Sequence, residues 1–180
     1  MSKQEPSEEP VLITPRAGQC EMSELHYAAY LNDPDLIKAQ LNRGHPIDAR
    51  DDAGRTPLHW SIDMAQAWGE PEKVISLLLA AAASANAVDD SGYSVLMMAC
   101  GRNNENILDQ LIRAGADVHA RNANTTPLHE AAACNFDEAI RRLLLLGVDP
   151  HQTNKRNQTP EQVAEACGFE DSAAVFKTAR

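Results

Sequence analysis

Six His and four Cys are the side chains of this 180-residue sequence with the most chemistry to offer. Such groups hold zinc when four converge, and either type acts as base or nucleophile when a partner lies within hydrogen-bonding reach. Their spacing points elsewhere. Three of the His close the same short motif: Ser23-Glu24-Leu25-His26, Thr56-Pro57-Leu58-His59 and Thr126-Pro127-Leu128-His129. His119 and His151 share a second recurring place. An imidazole fixed within a repeated motif reads as a structural group that bonds across a turn and ties neighbouring segments together. His129-Glu130 opens like a helical zinc-protease motif, but Ala133 stands where the second His is needed. Cys134 and Cys167 occupy equivalent places after Thr126 and Thr159, and Cys100 falls close to the same row, while Cys20 lies near the N-terminus. Helices packed about 8–10 Å apart hold such thiols beyond disulfide reach. No electropositive neighbour in the sequence activates them, so they read as free, partly buried thiols.

Other near misses resolve the same way. Asp51-Asp52-Ala53-Gly54 and Asp89-Asp90-Ser91-Gly92 look faintly like calcium loops but lack the ligand spacing and the closing Glu, and paired Asp at a tight turn is ordinary turn chemistry. Asn124-Thr125-Thr126 and Asn157-Gln158-Thr159 fit the glycosylation pattern, yet both arise where Asn replaces a turn Gly just before a helix cap. The phosphate-loop, Gly-x-Gly-x-x-Gly and Cys-x-x-Cys patterns are absent from the sequence. No catalytic, cofactor-binding or metal-binding residue is therefore assigned, and the chain is expected not to be an enzyme.

Stepping through the chain, Ser23, Thr56, Ser94, Thr126 and Thr159 recur at spacings of 33, 38, 32 and 33 residues. A second block keeps phase: Gly44, Gly115 and Gly147 each follow the Ser/Thr by 21 residues, whereas Ala82 follows Thr56 by 26. Five extra residues thus fall in the second unit, around Ala67-Trp68-Gly69-Glu70-Pro71-Glu72. Within a unit, a Thr cap and a Pro at the first helical position open one helix. A turn leads to a second helix with apolar residues at helical spacing, such as Ile140, Leu143 and Leu144, and a Gly past its end supplies the left-handed cap. Gly54, Gly92, Asn124 and Asn157 sit two residues ahead of the next Thr or Ser, where a hairpin-like turn asks for positive φ. The turn before Thr126 is one residue short. Two short helices cannot bury both apolar faces alone, but stacked neighbours can.

On these motifs the sequence resembles the ankyrin-repeat family, whose repeat is 33 residues long with a Thr-Pro-Leu-His-x-Ala signature. The resemblance covers roughly residues 20–180 and implies an all-α solenoid of about five helix-turn-helix units joined by hairpin-like turns. The units are expected near 20–50, 51–88, 89–121, 122–153 and 154–180, after a flexible arm over 1–19. The polar Glu161-Gln162 of the last copy suits an end cap with no further neighbour.

The resemblance also implies a non-enzymatic protein–protein interaction module that binds its partner on a concave face made of hairpin tips and first helices, as an inhibitor or regulator. An immunity-type protein neutralising a toxin, an adaptor or chaperone in a larger complex and, remotely, a thiol- or metal-dependent enzyme stand as alternatives. The register places Asp52, Arg55, Asp90, Tyr93, Lys155 and Arg156 at the tips. It places Trp60, Asp63, Met64, Arg102 and Glu130 along an exposed row of the first helices, and Trp68 in the long loop. Trp, Tyr, Met and Arg are the residue types that carry interface energy. Trp60, Tyr93 and Arg102 are the expected anchors.

Composition narrows the partner. Hydrophobic residues make up 43% and aromatic residues only 4%, with Ala plentiful, which suits closely packed helices. The net charge is −10, of which residues 1–90 carry −8. An acidic surface repels phosphate backbones and anionic lipid, which excludes nucleic acid and membrane as partners and favours a protein with a basic surface. No apolar run is long enough to span a bilayer and the first residues lack a secretory apolar core. With free thiols, that leads to the expectation of a cytoplasmic protein, monomeric when free.

Overall fold

The computed structural model describes residues 22–178. Among them are ten helices in five pairs: α1 (Glu24–Tyr30) with α2 (Pro34–Asn42), α3 (Pro57–Asp63) with α4 (Pro71–Ala80), α5 (Val95–Gly101) with α6 (Glu105–Arg113), α7 (Pro127–Ala133) with α8 (Asp137–Leu145), and α9 (Pro160–Ala166) with α10 (Glu170–Thr178). The expected arm over residues 1–19 lies outside the described residues.

Every first helix is seven residues long, and each starts where a Ser or Thr cap predicts. Pro at the first position of α3, α7 and α9 costs no hydrogen bond, because that amide has no partner within the helix. Helices this short are not stable in isolation; tertiary packing holds them. First helices pack on first helices in the order α1, α3, α5, α7, α9, and second helices on second helices from α2 to α10. Small buried residues, among them Ala28, Ala29, Ala99, Ala131 and Ala132, let the first row approach closely. Bulkier Ile37, Ile75, Leu78, Ile107, Leu108, Leu111, Ile140 and Leu143 fill the space toward the second row. One continuous apolar core results, running the length of the stack.

Three imidazoles stitch the first row. Nδ1 of His26 and of His59 accepts from the amide of its own cap, Ser23 (3.2 Å) or Thr56 (3.1 Å). The proton then sits on Nε2, which donates to the next unit: His26 to the Arg55 carbonyl (2.9 Å) and His59 to the Tyr93 carbonyl (3.4 Å). His129 makes the corresponding bond to the Gln158 carbonyl (2.9 Å). Burial pushes all three imidazoles below the ordinary His value, against the opposing pull of those carbonyls. In the third unit Met97, fully buried, takes the place of His. In the last, Gln162 closes a capping box with Thr159 and is exposed.

The connections between units are hairpin-like turns, paired by backbone bonds at Asp51–Arg55 (2.9 Å), Asp89–Tyr93 (3.1 Å) and Asn154–Gln158 (3.0 Å). The shortened turn pairs Asn122 with Thr125 instead (3.2 Å). That shortening corrects one expectation: Asn157 takes a left-handed φ of 57°, but Asn124 does not, because the tighter turn has no residue to spare for that excursion. Helix ends behave as expected. Gly44, Gly115 and Gly147 all have φ between 82° and 87°, and Ala82 is held in the same conformation at φ 68° despite its Cβ.

Two outcomes follow. A Cβ in the left-handed region costs about 1–2 kcal/mol, and glycine's extra freedom when unfolded returns about half of the gain. Ala82→Gly should therefore raise the unfolding free energy by about 0.5–1 kcal/mol in urea titration; a decrease would show that the cap is unstrained. The imidazoles act through pH. Their folded pKa values lie below the unfolded value of about 6.5, so their contribution is complete above that pH and is lost as pH falls through the lowered values. The melting temperature should drop between about pH 7 and pH 5, and His129→Gln should flatten part of that slope.

Candidate protein-binding face

The face formed by hairpin tips and first helices is organised from the turns outward. The first acidic or amide residue of each turn folds its oxygen onto the tip backbone. Asp51 Oδ1 accepts from the Ala53 and Arg55 amides at 2.9 and 2.8 Å. Asp89 Oδ1 accepts from Ser91 and Tyr93 at 2.8 and 2.9 Å. Asn122 and Asn154 do the same in their own turns. The Asp pairs are thus turn chemistry, as their sequence suggests. Tips also join tip to tip, through the Asp90 amide to the Ala53 carbonyl (3.0 Å) and the Lys155 amide to the Asn124 carbonyl (3.3 Å).

The expected anchors are present on this face but are half-buried, and their polar ends are engaged within the stack. Trp60 Nε1 donates to Asp51 Oδ2 at 2.9 Å. Arg55 pairs with the same carboxylate at 3.0 Å and lays its guanidinium 3.9 Å from the Trp60 ring centre. Burial opposes ionisation of Asp51, but the Arg55 amide, the Trp60 indole, the Ala53 amide and the Arg55 charge together hold its carboxyl below the usual carboxylate range. Arg102 pairs across units with Asp63 on α3. Tyr93 donates its hydroxyl to Glu130 Oε2 at 2.7 Å, and Thr125 donates to the other oxygen at 2.7 Å. Burial first, then the Glu130 charge, pushes the Tyr93 phenol far up, so it stays protonated.

The remaining candidates are spread along the stack. Met64 ends α3 and is half-buried, while Asp52 and Asp90 are exposed at the tips, with Arg50 4.0 Å from Asp90. Trp68 lies in the long connection 64–70, seven residues against three in every other unit, and is 48% exposed. The fifth extra residue lengthens α4. Lys155 and Arg156 are exposed at the far end, beside a cleft of about 500 Å³ that Tyr93, Thr125, Glu130 and Cys167 also line. Trp60 is therefore close to Arg55, Asp63 to Arg102, and Tyr93 to Glu130; Lys155 and Arg156 share the cleft with Tyr93 and Glu130.

Among the described residues the thiols are free, with Cys100 buried, Cys134 half-buried and Cys167 exposed; Cys20 lies outside the described residues. Burial and the Glu130 charge raise the Cys100 and Cys134 thiols above their ordinary value, which keeps them protonated and unreactive. Among the described residues, no His, Cys, Asp and Glu converge as a metal site and no helix is long and apolar enough to cross a membrane.

The family model for ankyrin repeats (3 copies) matches residues 25–122 and 62–154. The chain belongs to the ankyrin-repeat family. It is 34% identical over 157 residues to SH3 and multiple ankyrin repeat domains protein 2 of Homo sapiens, covering 87% of this chain and 8% of that protein. It is 32% identical over 149 residues to Neurogenic locus notch homolog protein 1 of Homo sapiens, covering 82% and 6%. Ankyrin repeat domain-containing protein 63 of Homo sapiens is 29% identical over 166 residues, covering 87% and 42%. The chain spans less than half the length of each of these relatives. Ankyrin repeats are protein–protein interaction modules, and that much holds for this ankyrin stack.

Sequence reasoning missed one row and one cluster. Asn32, Asn103 and Asn135 take left-handed φ of 48°, 52° and 54° just before the second helix, where Gly69 and Gly168 stand in the other units. The signal was available, an Asn or Gly at the same place in every copy. The cluster comprises Tyr27 and Tyr30 with both Trp, and nothing local announces it. For the Tyr93–Glu130 bond, a double-mutant cycle of Tyr93→Phe and Glu130→Gln should give a coupling of about 1–2 kcal/mol in unfolding free energy. Additive effects would mean that the bond contributes nothing to holding the two units together.

Proposed function

We infer that this chain is a non-enzymatic protein-binding module that takes its partner on the face of hairpin tips and first helices and so inhibits or regulates it. One observation carries the reading: Trp60, Arg102, Tyr93 and Glu130 run along successive first helices and turns, each held by a bond to another side chain of the stack. Side chains fixed before binding lose little freedom on complex formation, which favours affinity. Asp52, Asp63 and Asp90 border this row, and the first ninety residues carry a charge of −8, so the partner presents a basic surface. Neither nucleic acid nor a membrane suits that charge. The free chain is monomeric and cytoplasmic in this reading, and Arg55, Met64, Trp68, Lys155 and Arg156 complete the contact surface.

The test uses a partner captured from the native source, then purified protein and calorimetry. Trp60→Ala and Tyr93→Ala should each weaken binding by about 1–4 kcal/mol, with circular dichroism checking that each variant remains folded. Lys73 and Arg141, exposed on the second helices α4 and α8, should change little when replaced by Ala. Asp52→Lys should slow association and flatten its salt dependence. Loss of binding in the second-helix variants, with normal binding by the other two, would move the interface to the opposite side.

A further inference from the structure

With aromatic residues so scarce, their placement is informative. The chain has two Trp, three Tyr and three Phe, and four of these eight meet at one end of the stack. Tyr27 and Tyr30 stack with ring centres 6.3 Å apart. Tyr30 meets Trp60 edge-on at 5.9 Å and Trp68 edge-on at 5.5 Å. Trp68 is the most exposed member, at 48%.

The loop that presents Trp68 is pinned in place. Trp68 Nε1 donates to the Tyr30 carbonyl at 3.0 Å, and the Glu70 amide donates to the Asn32 carbonyl at 2.9 Å. Gly69 lies so close to the first unit that a Cβ there would meet the Leu31 and Asn32 carbonyl oxygens at 2.5 Å. Asn32 is itself buried and bonded through its side-chain amide to the Ser61 carbonyl at 3.2 Å. On the other side, Gln66 donates to the Arg102 carbonyl. A half-exposed indole held this firmly is a preformed contact surface rather than a slack insertion.

The charge around it is acidic on balance: Arg43, Lys38, Arg102 and Lys73 pair with Glu24, Asp35, Asp63 and Glu70, which leaves Asp33 and Glu72 outside these ion pairs. Residues 24–35 and 63–72, which carry Tyr27, Tyr30 and Trp68, contain Glu24, Asp33, Asp35, Asp63, Glu70 and Glu72 and no Lys or Arg. Aromatic faces attract cations through their quadrupole, and nearby carboxylates add to that attraction. Arg55 on Trp60 already displays the same chemistry within the chain. We propose that the Tyr30–Trp68 platform is the primary anchor of the interface and receives the Arg or Lys side chains of an extended basic segment of the partner protein. The proposal rests on the protein-binding reading above and adds where on the stack, and by which chemistry, the partner is gripped.

Both Trp lie in the cluster, so intrinsic fluorescence reports on it directly. The full chain is titrated at low ionic strength with a synthetic (Arg-Gly-Gly)4 peptide, with (Glu-Gly-Gly)4 as the control. The expected result is a saturable fluorescence change with the first peptide only, and binding by calorimetry at least about tenfold weaker for Trp68→Ala. Glu70→Arg, which keeps the indole and its loop, should also weaken binding, whereas Arg141→Ala, on α8 and outside the proposed face, should bind the probe as the unaltered chain does. No saturable binding up to about 1 mM peptide, or equal binding of the acidic peptide, overturns the proposal. So does unchanged affinity in both Trp68→Ala and Glu70→Arg; if Tyr93→Ala then weakens the complex, the broader face still stands. Concentration-dependent self-association that Trp68→Ala abolishes, without peptide binding, would assign the surface to a second copy and overturn it too.

Discussion

No helix pair of this chain can exist by itself. Seven-residue first helices and second helices of nine or ten residues are too short to persist in water, and each pair has apolar surface on both sides. Burial against a neighbour is therefore the condition on which everything else depends. The imidazole row turns that nonspecific demand into a fixed register. A neutral ring bonded at one end to its own helix cap and at the other to the next carbonyl sets both the distance and the rotation between units. Apolar contact alone would tolerate sliding; a buried donor aimed at one carbonyl does not, because leaving it unpaired costs more than the bond itself is worth.

Because each unit receives its place from the next, its surface chemistry is set jointly. Tyr93 illustrates this: its carbonyl receives His59 from one side while its hydroxyl reaches Glu130 on the other. Arg102 likewise answers Asp63 of the preceding unit. The groups that a partner would meet are thus also groups that hold the stack. In the proposed interface, a substitution at Tyr93 or Arg102 would act on stability and on recognition together, whereas one at Trp68, whose indole adds to a loop already held by backbone bonds, would act chiefly on recognition.

Much of this was legible in the sequence because a repeat prints its local rules several times. The caps, the Gly after three of the second helices, the shortened turn before Thr126 and the site of the insertion are all short-range signals compared across copies. The destinations of side chains were less legible. Tyr93 and Glu130 are 37 residues apart, Arg102 and Asp63 are 39, and Trp68 lies 38 from Tyr30. Such pairs depend on how units stack rather than on what any one copy contains, so the register could place these residues on a face without revealing that they bind each other. Asn124 failed for the opposite reason. Its residue type was right for a left-handed turn, but the turn had lost the residue that creates the need.

The insertion shows why the aromatic cluster arises where it does. Extra residues between hairpin and first helix would break the tip-to-tip bonds and shift the imidazole off its carbonyl. Between the two helices of a unit they disturb neither row, provided that the chain returns to the start of α4 in its proper place. Asn32 and Gly69 enforce that return: one gives a buried, bonded ledge, the other a backbone thin enough to lie on it. The four residues gained in the loop then form a bulge over the first unit, against the side chain of Tyr30. A large flat residue is the natural filler there, and Trp68 covers Tyr30 while leaving nearly half of its own surface to solvent. The same geometry that makes the insertion harmless to the stack therefore creates its most exposed aromatic surface, in the half of the chain that carries most of the negative charge.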